Sequence, residues 1–169
     1  IGGRGGKVIA VTNLNDAGPG SLREAVETQV PRTVIFRVSG TIELTRPLRV
    51  AHPYLTIAGQ TAPGDGICLK GHELQIIKTH DVIIRYLRCR PGDRTSKPGD
   101  LDAISLSDAT DVIIDHCSAT WSTDECLSVT RASDRVTVQH CVIGEALTKH
   151  SYGSIIASYR GSISYLHNL

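Results

Sequence analysis

The chain has 169 residues, with 18 Lys and Arg against 17 Asp and Glu, so its formal net charge is +1. This length suits one domain with a sizeable core, and a near-neutral charge without a basic run gives no argument for a nucleic-acid partner. No apolar run approaches the length of a membrane span, and no signal peptide is recognisable. The sequence therefore predicts neither a nucleic-acid nor a membrane partner, and it fits a cytoplasmic protein or a mature secreted one.

The N-terminal part combines a glycine-rich opening with one helix signal. Residues 1–7 read IGGRGGK, and such a segment does not form a regular element unaided. Residues 8–12 alternate like a strand, which argues against a phosphate-binding loop because no helix follows directly. Ser21 with Glu24 three residues later is a capping-box pattern. It predicts a short helix that continues to about Thr28.

From Thr33 onward, helical periodicity disappears and short apolar runs recur between Gly, Pro, Asp or Asn residues. Thirteen such runs with almost no intervening helix predict an all-β architecture. Tight Asn-Gly or Asp-Gly turns are rare, the pair at Asp65 being the one example, so hairpin-built sandwiches are disfavoured. Internal repetition decides between the remaining β architectures.

Two series of strands repeat along the chain. In the first series, the segments that begin at Asp81, Asp111 and Arg135 superimpose without gaps. A fourth segment follows when Ile163 is set against Val136, and successive copies are then 30, 24 and 27 residues apart. A second series, DAISL, ECLSV and SIIAS, interleaves with the first. Such spacing predicts an all-β fold, a right-handed single-stranded parallel β-helix with one strand per face in each coil.

This register predicts columns of stacked side chains on successive coils. One column consists of Leu87, Cys117, Cys141 and Asn168, and the next of His116, His140 and His167. We expect the imidazoles to pack as a ladder and not to hold a metal. The five cysteines contain no CxxC pair, so we expect buried free thiols instead of a disulfide scaffold or a zinc site.

Carboxylates precede two of the predicted strands within residues 100–129. Asp100 and Asp102 precede the first of these strands, Asp124 and Glu125 precede the second, and Asp124 comes 22 positions after Asp102. If consecutive coils stack, these acids lie on neighbouring strands about 5 Å apart. Carboxylates this close repel one another and shift their pKa values unless a cation lies between them. Because oxygen ligands suit a hard cation such as Ca²⁺, the pattern predicts a metal site with Asp102, Asp124 and Glu125 as its ligands.

Six motifs follow one another over essentially the whole chain: GGRGG, VTNLNDAGPGSLREAV, VIFRVSGTIEL, LTIAGQTAPGDGI, DAISL and IIDHCS. Together they resemble pectate lyases of the polysaccharide lyase family 1 type. The resemblance implies a secreted or periplasmic enzyme that cleaves polygalacturonate, an acidic pectin-like polysaccharide, by Ca²⁺-assisted β-elimination. It also implies that the helix after Ser21 caps the solenoid, and that residues 1–169 form a single β-helix domain truncated at both ends.

Carried over residue by residue, the resemblance matches Asp102 to a calcium-ligand aspartate and Asp124 to the first acid of a DGxxD-like stretch. Glu125 stands where that stretch has its glycine, and Ser128 stands where it has its last acid. Either Glu125 supplies the third ligand or the site is weaker. Asp115 belongs to an IDH motif for which we expect hydrogen bonds that stabilise a turn.

Two basic residues are candidates for contacts with the substrate. Lys149 resembles a substrate-contacting lysine, with an ordinary exposed loop lysine as the alternative. In the family the catalytic arginine lies in an R-x-P-R-like segment on a later coil, and no such segment occurs here. Arg160, one coil earlier, is the remaining candidate for the catalytic base and for a substrate contact. We therefore expect a fragment that lacks the catalytic arginine.

Three functions remain open from the residues. The first is a Ca²⁺-dependent pectate lyase, and the second is a polygalacturonase-like β-helix hydrolase with paired carboxylic acids as general acid and base. The third is a non-catalytic solenoid that binds acidic polysaccharide through the calcium site. Calcium dependence separates the hydrolase from the other two, and product formation separates the lyase from the binding protein. An open solenoid end exposes unpaired groups, so we also expect a cap or self-association to cover it.

Overall fold

The computed structural model describes residues 1–93, 101–147 and 152–169, and it is built almost entirely of short strands. The elements in chain order are β1 (Lys7–Val11), α1 (Leu22–Glu27), β2 (Arg32–Phe36), β3 (Gly40–Glu43), β4 (Leu48–Val50), β5 (Leu55–Ala58), a 3-10 turn (Gly59–Thr61), β6 (Ile67–Lys70), β7 (Leu74–Ile77), β8 (His80–Arg85), β9 (Leu87–Arg90), β10 (Ile104–Ser107), β11 (Thr110–Asp115), β12 (Ser118–Thr120), β13 (Leu127–Arg131), β14 (Asp134–Gln139), β15 (Val142–Gly144), β16 (Ser154–Ser158) and β17 (Ile163–Leu166).

The strands form three parallel sheets, which we name A, B and C. Sheet A has seven strands in the order β1-β2-β5-β8-β11-β14-β17. Sheets B and C have five strands each, in the orders β3-β6-β9-β12-β15 and β4-β7-β10-β13-β16. The chain thus visits sheets A, B and C in turn before it starts the next coil. The predicted parallel β-helix is confirmed.

The pairing register is the one that the sequence repeats predict. Val112 pairs with Val82 on one side and with Val136 on the other, and Val136 pairs with Ile163. In the second series, Ile104 pairs with Leu127. The repeated segments are therefore successive rungs of one solenoid.

Alternate side chains of each strand point inward and form the core. Ile57, Ile84, Ile114 and Val138 stack in register through sheet A, and all four are fully buried. Burial of each such side chain contributes about 1.5–3 kcal/mol to the free energy of unfolding. All five cysteines are free thiols, as predicted, and four of them are buried. Burial raises the pKa of the Cys89 thiol to about 12, so this sulfur is inert at neutral pH.

The corner between sheets A and B carries a ladder of stacked rings. Tyr86, His116, His140 and His167 each occupy this corner with a positive φ of 52–56°. The ring centroids lie 4.7 Å apart for Tyr86 and His116, and 4.8 and 5.3 Å apart for the two following pairs. The predicted imidazole ladder is confirmed, and Tyr86 extends it by one rung.

The helix α1 covers one end of the core. The Ser21 side chain accepts a hydrogen bond from the Glu24 backbone N–H at 3.2 Å, as the capping box predicts. The Glu24 carboxylate reaches back to the Gly20 N–H at 2.7 Å instead of to Ser21. The buried Arg32 guanidinium connects the helix to β2, because it donates hydrogen bonds to the backbone carbonyls of Ala25 and Val26. It also donates to the backbone carbonyls of Val30 and Pro53.

At the other end of the solenoid, the outermost strands β16 and β17 leave large apolar side chains exposed. They are Ile155, Ile156 and Leu166. Self-association through this end stays a prediction. Within the described parts of the chain, no helix is long and apolar enough to cross a membrane.

Candidate metal centre

The three predicted metal ligands lie together at the start of two neighbouring strands of sheet C. Asp102, Asp124 and Glu125 each offer one carboxylate oxygen, and these oxygens all lie within 4.8 Å of one another. Since Ile104 pairs with Leu127, Asp102 lies level with Glu125, and the Ala103 N–H donates to the Glu125 carbonyl at 3.2 Å. This is also the alignment of DAISL with ECLSV in the second strand series of the sequence. We call these three side chains the acidic cluster.

The electrostatics of the acidic cluster favour a bound cation. Burial, together with the negative charges of Glu125, Glu73 and Asp124, raises the pKa of Asp102 to about 7, although a hydrogen bond from Ser128 opposes this shift. Across the described residues, no Lys or Arg forms a salt bridge with Asp102 or Glu125. Half-buried carboxylate oxygens without nitrogen or sulfur ligands are the donor set that Ca²⁺ prefers. The residues therefore fit a hard divalent cation.

Ser128 lies directly beside the acidic cluster. It is almost fully buried, and its hydroxyl donates to the Asp102 Oδ2 atom. The resemblance places a further acid at position 128, and this position is in contact with Asp102, a predicted metal ligand. In this chain, that position orients Asp102 with a neutral hydroxyl.

The segment between β12 and β13 is held by short polar contacts. The backbone N–H groups of Thr123 and Asp124 both donate to the Leu101 carbonyl, at 3.0 and 3.2 Å. The Ser122 hydroxyl donates to the Asp124 carbonyl at 3.0 Å and lies 3.2 Å from the Cys126 Sγ atom. Sequence reasoning missed Ser122 and treated Cys126 only as core. Both residues fix the backbone that presents Asp124.

A fourth carboxylate, which sequence reasoning missed, lies on the preceding coil of sheet C. Glu73 accepts hydrogen bonds from the Ser105 hydroxyl at 3.2 Å and from the Gln75 amide at 2.5 Å. Burial raises the pKa of Glu73, and its charge contributes to the raised pKa of Asp102. Its position directly before Leu74, which pairs with Ile104, is the signal that could have found it.

Asp115 of the IDH motif has the turn-stabilising surroundings that the sequence predicts. Its buried carboxylate accepts hydrogen bonds from Arg85 Nε at 2.7 Å and Gln139 Nε2 at 3.1 Å, and it lies 2.6 Å from His116 Nδ1. Burial by itself would raise the pKa of Asp115, but these hydrogen bonds hold it below its usual value. The network joins three successive coils at the corner next to the ring ladder.

Of the two basic candidates, the structure describes only Arg160, which does not lie beside the acidic cluster. In the parallel pairing of β16 with β13, Ser158 lies opposite Arg131 at the far end of the sheet, and the exposed Arg160 follows Ser158. At about 3.3 Å per residue, the strand length separates Arg160 from the cluster by roughly 20 Å. Arg160 is therefore not adjacent to the acids, and its roles as catalytic base and as substrate contact stay predictions. Lys149 lies outside the described residues.

Comparisons with known proteins point in one direction. The chain is 41% identical over 171 residues to a probable pectate lyase C of Aspergillus terreus, which covers 100% of this chain and 39% of that protein. The predicted resemblance to pectate lyases is confirmed. A probable pectate lyase B of Aspergillus flavus is 34% identical over 146 residues, or 82% of this chain and 40% of that protein. No protein-family model matches the chain.

The fold also matches a solved structure. The crystal structure of Jun a 1, the major allergen from cedar pollen, superposes with a TM-score of 0.63 and 21% identity, over 99% of this chain and 64% of that one. At this identity the similarity supports the fold alone. The chain spans about two fifths of the length of the pectate lyase C and pectate lyase B relatives that it matches.

Proposed function

We propose that this chain carries the calcium site of a secreted, Ca²⁺-dependent pectate lyase that cleaves polygalacturonate by β-elimination. The observation that carries the proposal is the convergence of Asp102, Asp124 and Glu125 within 4.8 Å, at a place where Asp102 has a pKa of about 7. The similarity to proteins named probable pectate lyases supports the substrate class.

The residues of the acidic cluster have defined tasks in this proposal. Asp102, Asp124 and Glu125 would hold a Ca²⁺ ion, whose charge would help to neutralise a uronate carboxylate of the substrate and so acidify the adjacent C–H bond. Asp102 and Glu125 present their oxygens from neighbouring strands, and Asp124 presents its oxygen from the loop fixed to Leu101. The Ser128 hydroxyl donates to Asp102 and keeps its carboxylate in place, and Asp102 would have to be ionised to hold a cation.

The catalytic base is not assigned to a described residue. Arg160, the candidate that the sequence suggests, follows the C-terminal end of a sheet C strand, whereas the acids precede the N-terminal ends of their strands. Lys149 stays a predicted substrate contact. The proposal for this chain is therefore strongest for cation and substrate binding, and it extends to elimination for the longer relatives that the chain matches.

The hydrolase alternative is less well supported by the geometry. The two carboxyl groups of inverting glycoside hydrolases are about 6.5–9.5 Å apart, which leaves room for the attacking water, and those of retaining enzymes are about 5–5.5 Å apart. Here three carboxylate oxygens lie within 4.8 Å of one another, which suits a shared cation better. A binding protein without catalysis differs from the lyase only in product formation.

Two measurements test the proposal. Calorimetric titration with Ca²⁺ should show one site in the wild-type chain, a loss of at least about tenfold in affinity for Asp102→Asn, and no change for Asp65→Asn in an exposed turn. Absence of Ca²⁺ binding, or equal effects of the two variants, would refute the calcium site.

The second measurement is the ultraviolet absorbance of a polygalacturonate digest with Ca²⁺ and with a chelator. Elimination creates an absorbing 4,5-unsaturated product, whereas hydrolysis does not. A signal that the chelator abolishes supports the lyase. Calcium-dependent binding of polygalacturonate with a flat absorbance supports a binding role for this chain, and depolymerisation that persists in chelator would support the hydrolase.

A further inference from the structure

The outer face of sheet B carries a basic groove that the proposed calcium chemistry does not use. Register places Arg88 beside Cys68 and Arg90 beside Lys70, so these outward-facing side chains form two adjacent columns. Together with Trp121, which follows β12, they line a cleft of about 290 Å³. None of the described residues that line this cleft belongs to the acidic cluster. We call it the sheet B groove.

One arginine of the groove is held in a fixed orientation. Arg90 Nη1 donates to the carbonyls of Cys89 and Ser118, both at 3.1 Å, and Nη2 donates to the Ser118 hydroxyl at 3.0 Å. Its guanidinium carbon lies 5.9 Å from the centroid of the Trp121 ring. An arginine has five N–H donors, so three bonds to the protein leave donors for a ligand. The side chain is thus ordered before any ligand binds.

The groove also has an excess of positive charge. Lys70 pairs with Glu43 at 3.5 Å, and both side chains are largely exposed. Neither Arg88 nor Arg90 forms a salt bridge with any carboxylate of the described residues. Trp121 leaves 49% of its surface exposed beside these charges. A large exposed indole next to arginines without acidic partners is complementary to a ligand that is both anionic and ring-shaped.

We propose that the sheet B groove is a second binding surface for a polyuronate chain, separate from the acidic cluster. The uronate carboxylates would accept hydrogen bonds from Arg88 and Arg90, and a sugar ring would pack on the exposed face of Trp121. The identity of the polymer rests on the proposed function. Binding at this surface needs no metal, because the protein supplies the positive charge itself.

The test is binding of polygalacturonate in the presence of a chelator, measured by affinity electrophoresis and calorimetry. The chelator removes Ca²⁺, so neither substrate binding at the acidic cluster nor elimination contributes to the signal. Arg88→Gln should weaken binding about fivefold. Trp121→Gly should weaken it about tenfold, and glycine tolerates the positive φ of 60° at that position. Arg4→Gln, which removes the same charge from an exposed N-terminal turn, should leave binding unchanged.

Two ligand controls complete the experiment. Fully methyl-esterified pectin should not bind, because it lacks the charge that the arginines recognise, and polyglutamate should bind without sensitivity to Trp121→Gly. Equal effects of Arg88→Gln and Arg4→Gln would overturn the proposal, and so would polyglutamate binding that depends on Trp121. An unchanged urea unfolding midpoint of the Arg88→Gln variant shows that its fold is intact. A negative result here leaves the calcium site standing, and a failed calcium titration leaves this surface standing.

Discussion

Replacement of Ser128 by Asp tests the acidic cluster most directly. The Ser128 hydroxyl contacts Asp102, so an aspartate there would add a fourth carboxylate to the three that already lie within 4.8 Å. Two unit charges about 4 Å apart interact by roughly 4 kcal/mol at an effective dielectric constant of 20. Side-chain rotation and protonation relieve part of this repulsion. We therefore expect the free energy of unfolding of the Ca²⁺-free protein to decrease by about 2 kcal/mol at pH 8. For a chain of this size, that loss lowers the melting temperature by about 4–8 °C.

Calcium should reverse the sign of this effect. A fourth carboxylate gives the ion a further charged ligand, so we expect its affinity to rise by roughly 10–100-fold. The assay is calorimetric titration with Ca²⁺ at pH 8, combined with thermal unfolding in Ca²⁺ and in chelator. The matched control is Ser128→Ala, which removes the hydrogen bond to Asp102 without adding charge and should change the affinity by less than about threefold. If Ser128→Asp changes neither the affinity nor the stabilisation by Ca²⁺, the carboxylates do not share a cation.

Three further outcomes are expected. Asp102 has a pKa of about 7 and must lose its proton to bind a cation. Below pH 7, the Ca²⁺ affinity measured by calorimetry should therefore decrease with a slope that approaches about tenfold per pH unit. An affinity that does not change between pH 5 and 8 would contradict this. Because this pKa is higher in the folded Ca²⁺-free chain than in the unfolded chain, the folded chain stays protonated to a higher pH. The free energy of unfolding, measured with urea, should therefore decrease as the pH rises from about 4 to 7, and Asp102→Asn should remove this contribution. Arg32→Leu should lower the free energy of unfolding by roughly 3 kcal/mol or more, because the carbonyls at the end of α1 lose their donors; a urea midpoint like that of the exposed Arg4→Gln would refute that role.

The sequence by itself predicted the solenoid and its register, because each coil repeats the same alternation of inward apolar and outward polar residues. The match of Val82, Val112 and Val136 needed no structure, since a shift by one residue would turn every core side chain outward. The repeat also brought Asp102 near Asp124 and Glu125. Local capping rules predicted the helix that begins after Ser21 for a similar reason, because both partners lie within three residues.

Tertiary structure decided which side chains of different coils meet. The contact of the Ser128 hydroxyl with Asp102 depends on side-chain orientations that the register alone does not give. The distance of Arg160 from the acids follows from its place after the end of β16, while the acids precede their strands. The sheet B groove combines residues of separate coils that no local pattern relates. Stacking of coils converts distances along the sequence into neighbours about 5 Å apart, so only the folded solenoid determines these sites.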